Sequence, residues 1–387
     1  MSSLVAGEVA LSVILLAGAG LLVKSFVTAL HVDTGIRVDR LLTFELALPS
    51  AKYSSRQQAA AFYRDLVDRL RSSPGVEAAA GISSLPMTGG MQGGAFEVEG
   101  RPKAADWVDA SVQYSRSTPG YFRTMGIPLL RGRDFDAQDT DSSLPVGIVN
   151  DTLARQFFPG QDPIGQRYKD VYDGKWRTIV GVVGSVKHQQ PMNPFVPGLF
   201  SPHTQSPSYW MWITLRARGD EAELTGLARA AVRDLDPNLP LLKIRTMREV
   251  VSDSLSVTRL LMQFLAGFAI FALLLDAIGI YGIVDYSVRQ RTHEMGIRVA
   301  LGASYGNVVG LVLRKGALPA AVGVLLGLPV TLAASGVLRA LLYGISPRDL
   351  SVFLGVPVVL LLVALGASLL PARRAAKVNP IVALRCE

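Results

Sequence analysis

Four membrane-length apolar segments, one at the start and three near the end, leave this chain few folds to choose from. Leu4–Val23, Gly316–Leu338 and Leu350–Leu370 each run 20 residues or more, the first with Glu8 near its start, and Leu260–Val284 is interrupted once, by Asp276. At roughly 1.5 Å per residue, about 20 apolar residues cross a hydrocarbon layer of ~30 Å. The stretch between the first two segments, residues 30–256, instead carries charges, prolines and alternating patterns. The expected fold is a membrane protein of four transmembrane α-helices plus an α+β extracytoplasmic domain of two lobes, inserted between helices 1 and 2.

Hydropathy agrees. Charged residues are 18% of the chain and mean hydropathy is +0.32, against roughly 25% charged in soluble domains. The net charge of +8 would suggest nucleic acid for a soluble protein. Here much of the excess flanks the spans, where Lys and Arg set orientation, so no nucleic-acid partner is expected. Cys386 is the single cysteine, which excludes an intrachain disulfide or a zinc–thiolate cluster.

Short loops give the topology. Arg289, Arg291, Arg298, Arg314 and Lys315 follow span two, and Arg373, Arg374, Lys377 and Arg385 follow span four. The positive-inside rule puts both groups in the cytoplasm, the N-terminus with them, and the 30–255 region outside. Lys24, at the outer end of span one, runs against this. A cleaved signal peptide at the start would need a basic leading region and a small-residue cleavage site, neither of which is read here. Glu8 lies near the cytoplasmic end of span one and is expected to reach water.

Inside the large domain, Leu41–Leu48, Val76–Ser84, Val108–Ser115, Val146–Val149, Thr178–Val186, Tyr209–Leu215 and Pro240–Ile244 read as strands. Ser54–Ser72, Glu221–Leu235 and Met247–Leu255 read as helices, and Pro191–Pro207 as a loop. Mixed strands and helices predict an α+β domain.

Catalytic chemistry is hard to find. His31, His188, His203 and His293 lie far apart without metal-ligand spacing. Gly89-Gly90 and Gly93-Gly94 lack a P-loop frame and read as a surface turn. Ser83-Ser84 and Gly184-Ser185 lack the frame of a nucleophile elbow. Asp134, Asp136, Asp139 and Asp141 form an acidic stretch without the EF-hand glycine and terminal glutamate, and read as a solvated loop. Neither an enzyme nor a resident cofactor or metal is expected.

Two cytoplasmic motifs carry a resemblance: RQRTHEMGIRVALGAS at 289–304 and PARRAAKVNPIVALR at 371–385. Both are similar to the FtsX-like permease family. In the domain, Thr118-Pro-Gly-Tyr-Phe, Arg131-Gly-Arg-Asp-Phe, Asn150, Phe157-Phe-Pro-Gly, Asp162-Pro-Ile-Gly165 and the 178–188 segment resemble the MacB-type periplasmic core domain. The nearest subgroup resembles duplicated permeases, so the chain is expected to be one unit of a longer design. The resemblance implies transmembrane helix 1 at 1–29, a periplasmic core domain at 30–256 and an FtsX-like permease domain at 257–387. Within the last it implies a docking segment at 289–315 and a cytoplasmic tail at 372–387. It implies a bacterial inner-membrane ABC permease of type VII that pairs with a second permease unit and docks on a separate ATPase. That ATPase binds the ATP and drives export or efflux by mechanotransmission, with a periplasmic adaptor as a further partner. A non-transporting regulator of an envelope enzyme is the alternative.

On this resemblance Glu294, Gly296, Arg298 and Gly302 are expected to dock the ATPase; a basic loop on lipid headgroups is the reading without it. Gly323-x-x-x-Gly327 is a helix-packing motif, for a dimer contact or for packing within the chain. Asp276 departs from the family, where small apolar residues are usual. A mid-span carboxylate costs at least ~2.5–3.5 kcal/mol, so it is expected to face the bundle interior, to be protonated or to meet a partner.

Overall fold

The structure, a computed structural model, describes the chain except residues 1, 31, 91–92, 95–96, 101–111, 171, 192, 292–293, 296, 298–303, 337–341, 343 and 377–387. It divides into two compact units, residues 1–31 with 257–387, and residues 32–256.

Among the described residues the membrane unit holds four helices long and apolar enough to span: α1 (Ser2–Leu30) and three later ones, Ser256–Gln290, Tyr305–Ala334 and Leu350–Ala376. Their side chains are apolar nearly all round, which suits helices bounded by lipid and by one another. Within the unit α1 is the most enclosed, with 56% of its apolar window buried against 17–28% in the others.

The extracytoplasmic unit is built on a mixed sheet. β1 (Leu41–Ala47) pairs antiparallel with β11 (Trp210–Ala217), Leu41 opposite Arg216 and Ala47 opposite Trp210. β12 (Leu242–Thr246) flanks β1, and β2 (Val76–Ile82) flanks β11. Two helices cover one face. α2 (Arg56–Arg71) starts at a capping box, Ser55 with Gln58, and buries Ala59, Phe62, Tyr63, Leu66, Val67 and Leu70. The second, Leu224–Leu235, adds Leu224, Ala228, Ala231 and Val232 to the same core.

The other half centres on β5 (Val112–Ser117), β7 (Val146–Asn150), β9 (Trp176–Val183) and β10 (Gly198–Pro202). β10 runs parallel to β5 and β7 parallel to β9. Short β3 (Gly93–Gly94), β4 (Glu97–Val98), β6 (Leu129–Gly132) and β8 (Arg167–Lys169) complete its edges. Two short helices follow in chain order, α3 (Tyr121–Met125) and α4 (Asp151–Phe157). Within the sheet the halves meet through one β2–β5 pair, Ile82 opposite Ser117, and a further apolar core joins Leu41, Ile82 and Trp212 of one half to Phe122, Val183 and Phe200 of the other. Each half has its own apolar core, one around Phe44, Tyr63 and Leu215, the other around Leu153, Phe157 and Val182, and these are the two lobes.

The sheet corrects one expectation. Pro191–Pro207, read as loop, contains β10, whose five residues are all buried. Its prolines flank or end the strand, where a missing N–H costs no ladder bond, so composition hid a central strand. In chain order the remaining helices are α5 (Leu224–Leu235), α6 (Met247–Ser254), α7 (Ser256–Gln290), α8 (Tyr305–Ala334) and α9 (Leu350–Ala376). α6 begins at a second capping box, Thr246 with Glu249.

Candidate functional site in the membrane unit

The bundle is assembled around α1 by close backbone approach. A Cβ added at Gly323 of α8 would lie 2.6 Å from Val9 Cβ and 2.7 Å from the Ala6 carbonyl oxygen. One added at Gly327 would lie 2.8 Å from the Ala10 carbonyl oxygen. The small-residue motif thus seats α8 directly on α1 of the same chain. At Gly316 an added Cβ would strike Ser368 of α9. The core so formed contains Val5, Val9, Val13, Ile280, Val312 and Leu360.

Asp276 lies on the inner stripe of α7, with Ala269, Ala272, Ile280 and Val284. It is 1% exposed, and neither carboxylate oxygen has a hydrogen-bond partner. Ser12 and Glu8 of α1 are near enough to act on it, the Ser12 hydroxyl without reaching hydrogen-bond geometry. Glu8 does not simply reach for water: its Oε2 would sit 3.0 Å from a Cβ built on Gly279. An interior position for Asp276 is what the cost of a lipid-facing carboxylate demands.

The cytoplasmic end is knit by ion pairs. Asp285 accepts from Arg289 Nε at 2.8 Å and faces Arg374 of α9 at 3.8 Å, while Arg374 donates to the Tyr281 hydroxyl at 3.1 Å. Beyond α7, Arg291 pairs loosely with Glu294 at 3.7 Å. Met295 is 2% exposed and belongs to the bundle core, whereas Ile297 is 40% exposed. Glu294 is half-buried next to that anchor. Gly296, Arg298 and Gly302, the other expected docking residues, lie outside the described residues.

At the opposite end, Lys24 donates to Asp349 Oδ2 at 2.7 Å and to Ser351 at 3.0 Å. The Lys24 hydrogen bond, with help from Ser351, holds the Asp349 carboxyl down at about 2. The cation that disagreed with the charge rule is therefore paired at the start of α9. Sequence reading missed this pair because 325 residues separate its members.

Polar chemistry in the extracytoplasmic unit is architectural. Asn150 Oδ1 accepts from the backbone N–H of Leu153 and of Gly198, both at 2.9 Å, capping α4 and fixing the start of β10. Thr118 Oγ1 accepts from Gly81 N–H at 2.8 Å. Gly132, at φ +74°, leaves no room for a Cβ against the Val180 carbonyl. The acidic stretch is not simply solvated, because Asp139 is 4% exposed and gripped by both Arg133 terminal nitrogens at 2.8 Å. Burial works against ionisation there, but the Arg133 fork and the Asp136 N–H outweigh it and hold the carboxyl below its ordinary value. His188 and His203 are both buried, which pushes each imidazole down to about 4. Among the described residues no three His, Cys, Asp or Glu gather as a metal site.

The likenesses to known proteins follow the same division. A model of the MacB-like periplasmic core domain matches residues 1–234, and one of the FtsX-like permease C-terminal region matches 266–380. Among curated relatives, the macrolide export ATP-binding/permease protein MacB of Agrobacterium fabrum is 29% identical over 73% of this chain and 44% of its own length. That of Azoarcus sp. is 30% identical over 73% of this chain and 44% of its own. An uncharacterised ABC transporter permease, YknZ of Bacillus subtilis, is 26% identical over 69% of this chain and 68% of its own. The chain thus spans less than half the length of the MacB relatives. The solved periplasmic region of MacB from Actinobacillus actinomycetemcomitans aligns over 57% of this chain and 94% of its own, at 15% identity and a TM-score of 0.40. With four spanning helices and the core-domain match across more than half its length, the chain belongs to the MacB/FtsX-type ABC transporter permeases, multi-pass proteins of the inner membrane with an extracytoplasmic domain.

Proposed function

We propose that this chain is the permease subunit of a type VII ABC system, coupling a partner ATPase to its extracytoplasmic domain for export or efflux by mechanotransmission. The observation that carries the reading is the anchoring of the segment after α7. Met295 is sunk in the bundle core while Arg291 and Ile297 stay exposed and Glu294 half-exposed. A force applied to such a segment passes into the helices that Met295 touches instead of being lost in a loose loop. The relatives named for macrolide export carry both ATP-binding and permease functions, and this chain contains no G-x-x-x-x-G-K-[ST] phosphate loop. An ATPase on a second chain, or on a further part of the same one, supplies the missing function.

Arg298 is the docking residue to test. Truncating one member of a desolvated charge pair costs about 2–5 kcal/mol, a tens-fold loss of affinity or more. Arg298→Glu is expected to abolish co-purification of the ATPase while membrane insertion is kept. A variant that keeps its ATPase but loses function would assign the segment to transmission alone. Unchanged binding and function would overturn the proposed coupling site.

A further inference from the structure

A cleft of about 460 Å³ opens at the cytoplasmic end of the bundle between α1, α7 and α8. Its polar rim is Ser3, Ser287, Arg291 and Lys315, and its walls include Leu318 and Val322. Lys315 is half-buried, and its Nζ lies 3.4 Å from the Ser287 hydroxyl. Among the described residues no carboxylate pairs with it. Arg291 meets Glu294 only at 3.7 Å, which leaves most of its guanidinium fork unused. Two cations thus converge on one apolar-walled cleft, and no carboxylate is among the residues that line it. An ammonium beside apolar walls calls for an anion.

The walls define the rest of the occupant. Leu318, Val322 and Leu325 follow at i, i+4 and i+7 on one face of α8, and are 66%, 39% and 70% exposed. From Lys315 to Leu325 is ten residues, about 15 Å of helix, which is close to half of a ~30 Å hydrocarbon core. Charge therefore sits at the headgroup level and an apolar track runs from it through one leaflet. A docked peptide or a free phosphate would use the rim but not the track.

We propose that this cleft binds an anionic phospholipid from the cytoplasmic leaflet, with its phosphodiester between Arg291 and Lys315. The Ser3 and Ser287 hydroxyls donate to its oxygens, and one acyl chain lies along Leu318, Val322 and Leu325. Basic pockets between spans on the cytoplasmic side are suited to such headgroups. The site makes no use of the docking contacts proposed above, so each stands or falls without the other.

Native mass spectrometry of the full chain in detergent, with phosphatidylglycerol and phosphatidylcholine of matched acyl chains, tests the proposal. Phosphatidylglycerol is expected to be retained about tenfold better. The Arg291→Gln, Lys315→Gln double variant should bring it down to the phosphatidylcholine level, and Lys315→Arg should keep the preference. Leu318→Asn should weaken retention of the lipid with the charges intact, which separates a lipid site from an anion site even where the double variant fails to fold. Equal retention of both lipids by the parent chain would overturn the proposal. So would competition by inorganic phosphate or glycerol phosphate as effective as that by lipid. Displacement of phosphatidylglycerol from none of the variants, with Lys315 shielded only when an ATPase is added, would overturn it and give the cleft to a protein.

Discussion

The two units treat buried charge in opposite ways. In the extracytoplasmic unit Arg177, wholly buried, donates to Asp170 at 3.1 Å and to Gln205 at 3.2 Å and also pairs with Asp173. Gln205 passes the network on to the carbonyls of Thr140 and Leu144. Arg216, 2% exposed, donates to the carbonyls of Arg37, Thr124 and Asp39, each at 2.8 Å. In the membrane unit Asp276 is equally buried with both oxygens unpaired. Packing differs as well, since the domain fills its cores with rings such as Phe44, Tyr63 and Phe122, whereas the bundle brings backbones together at Gly323 and Gly327. A soluble core can finish its polar networks because turns and strand ends supply carbonyls. Intact spanning helices have already spent theirs.

The sharpest way to break this comparison is to remove Arg177. Arg177→Ala leaves Asp170 buried and unpaired, and a severed buried pair costs about 3–5 kcal/mol. All four tryptophans, Trp107, Trp176, Trp210 and Trp212, lie in the 32–256 unit, so their fluorescence melt reads this loss directly. A shift of no more than about 1 kcal/mol would mean that the network is ornamental.

Acid should reach the same unit next. His188 and His203 sit at about 4 in the fold, below the ordinary ~6.5. A group depressed by folding contributes stability above the unfolded value, and that stability drains away as pH falls from about 6.5 towards 4. By pH ~5 each histidine should cost about 2 kcal/mol. The tryptophan melt should fall accordingly, and His188→Met should remove roughly half of the drop. A pH-independent melt over that window would show the imidazoles to be solvated.

In the bundle, Gly323→Ala should separate α1 from α8 at about 1–3 kcal/mol. Disulfide trapping between cysteines placed on the two helices would register it. Unchanged trapping would mean that the helices meet elsewhere. Asp276→Asn should have the smallest effect, with expression and thermal stability unchanged or raised, because the carboxylate it replaces has no bond to lose. A severe loss of folded protein would expose a partner for Asp276 and erase the contrast between the units.

The legibility of the sequence follows the same physical divide. Four spans could be read from Leu4–Val23 and its later counterparts because lipid imposes length and apolarity at once. Strand β1 could be read from its alternation, and β7, β9 and β11 from short runs rich in β-branched and aromatic residues. β10 could not, since Gly198–Pro202 lies among prolines and pairs with a strand some 85 residues earlier. Asp276 declared itself as an interruption, but its neighbours Ser12 and Glu8 lie more than 260 residues away, and only the fold brings them near. The same holds for Lys24 and Asp349. The domain motifs around Thr118, Arg133 and Asn150, which carry the resemblance, each hold a turn, a loop or a helix end.

The seat of α8 on α1 sets a timetable for synthesis. Val13 and Gly327 touch, yet 314 residues separate them. At ~5–20 residues per second, a translating ribosome needs roughly 15–60 s to cover that distance. For that interval α1 sits in the bilayer without α8, and until α7 follows, its Glu8 and Ser12 also lack Asp276 and Gly279 as neighbours. The extracytoplasmic lobes are made and exported meanwhile. The bundle is closed last, by helices made after the extracytoplasmic domain, and a ribosome stalled before Gly323 would leave α1 and α7 on either side of that domain without the helix that α1 is seated on.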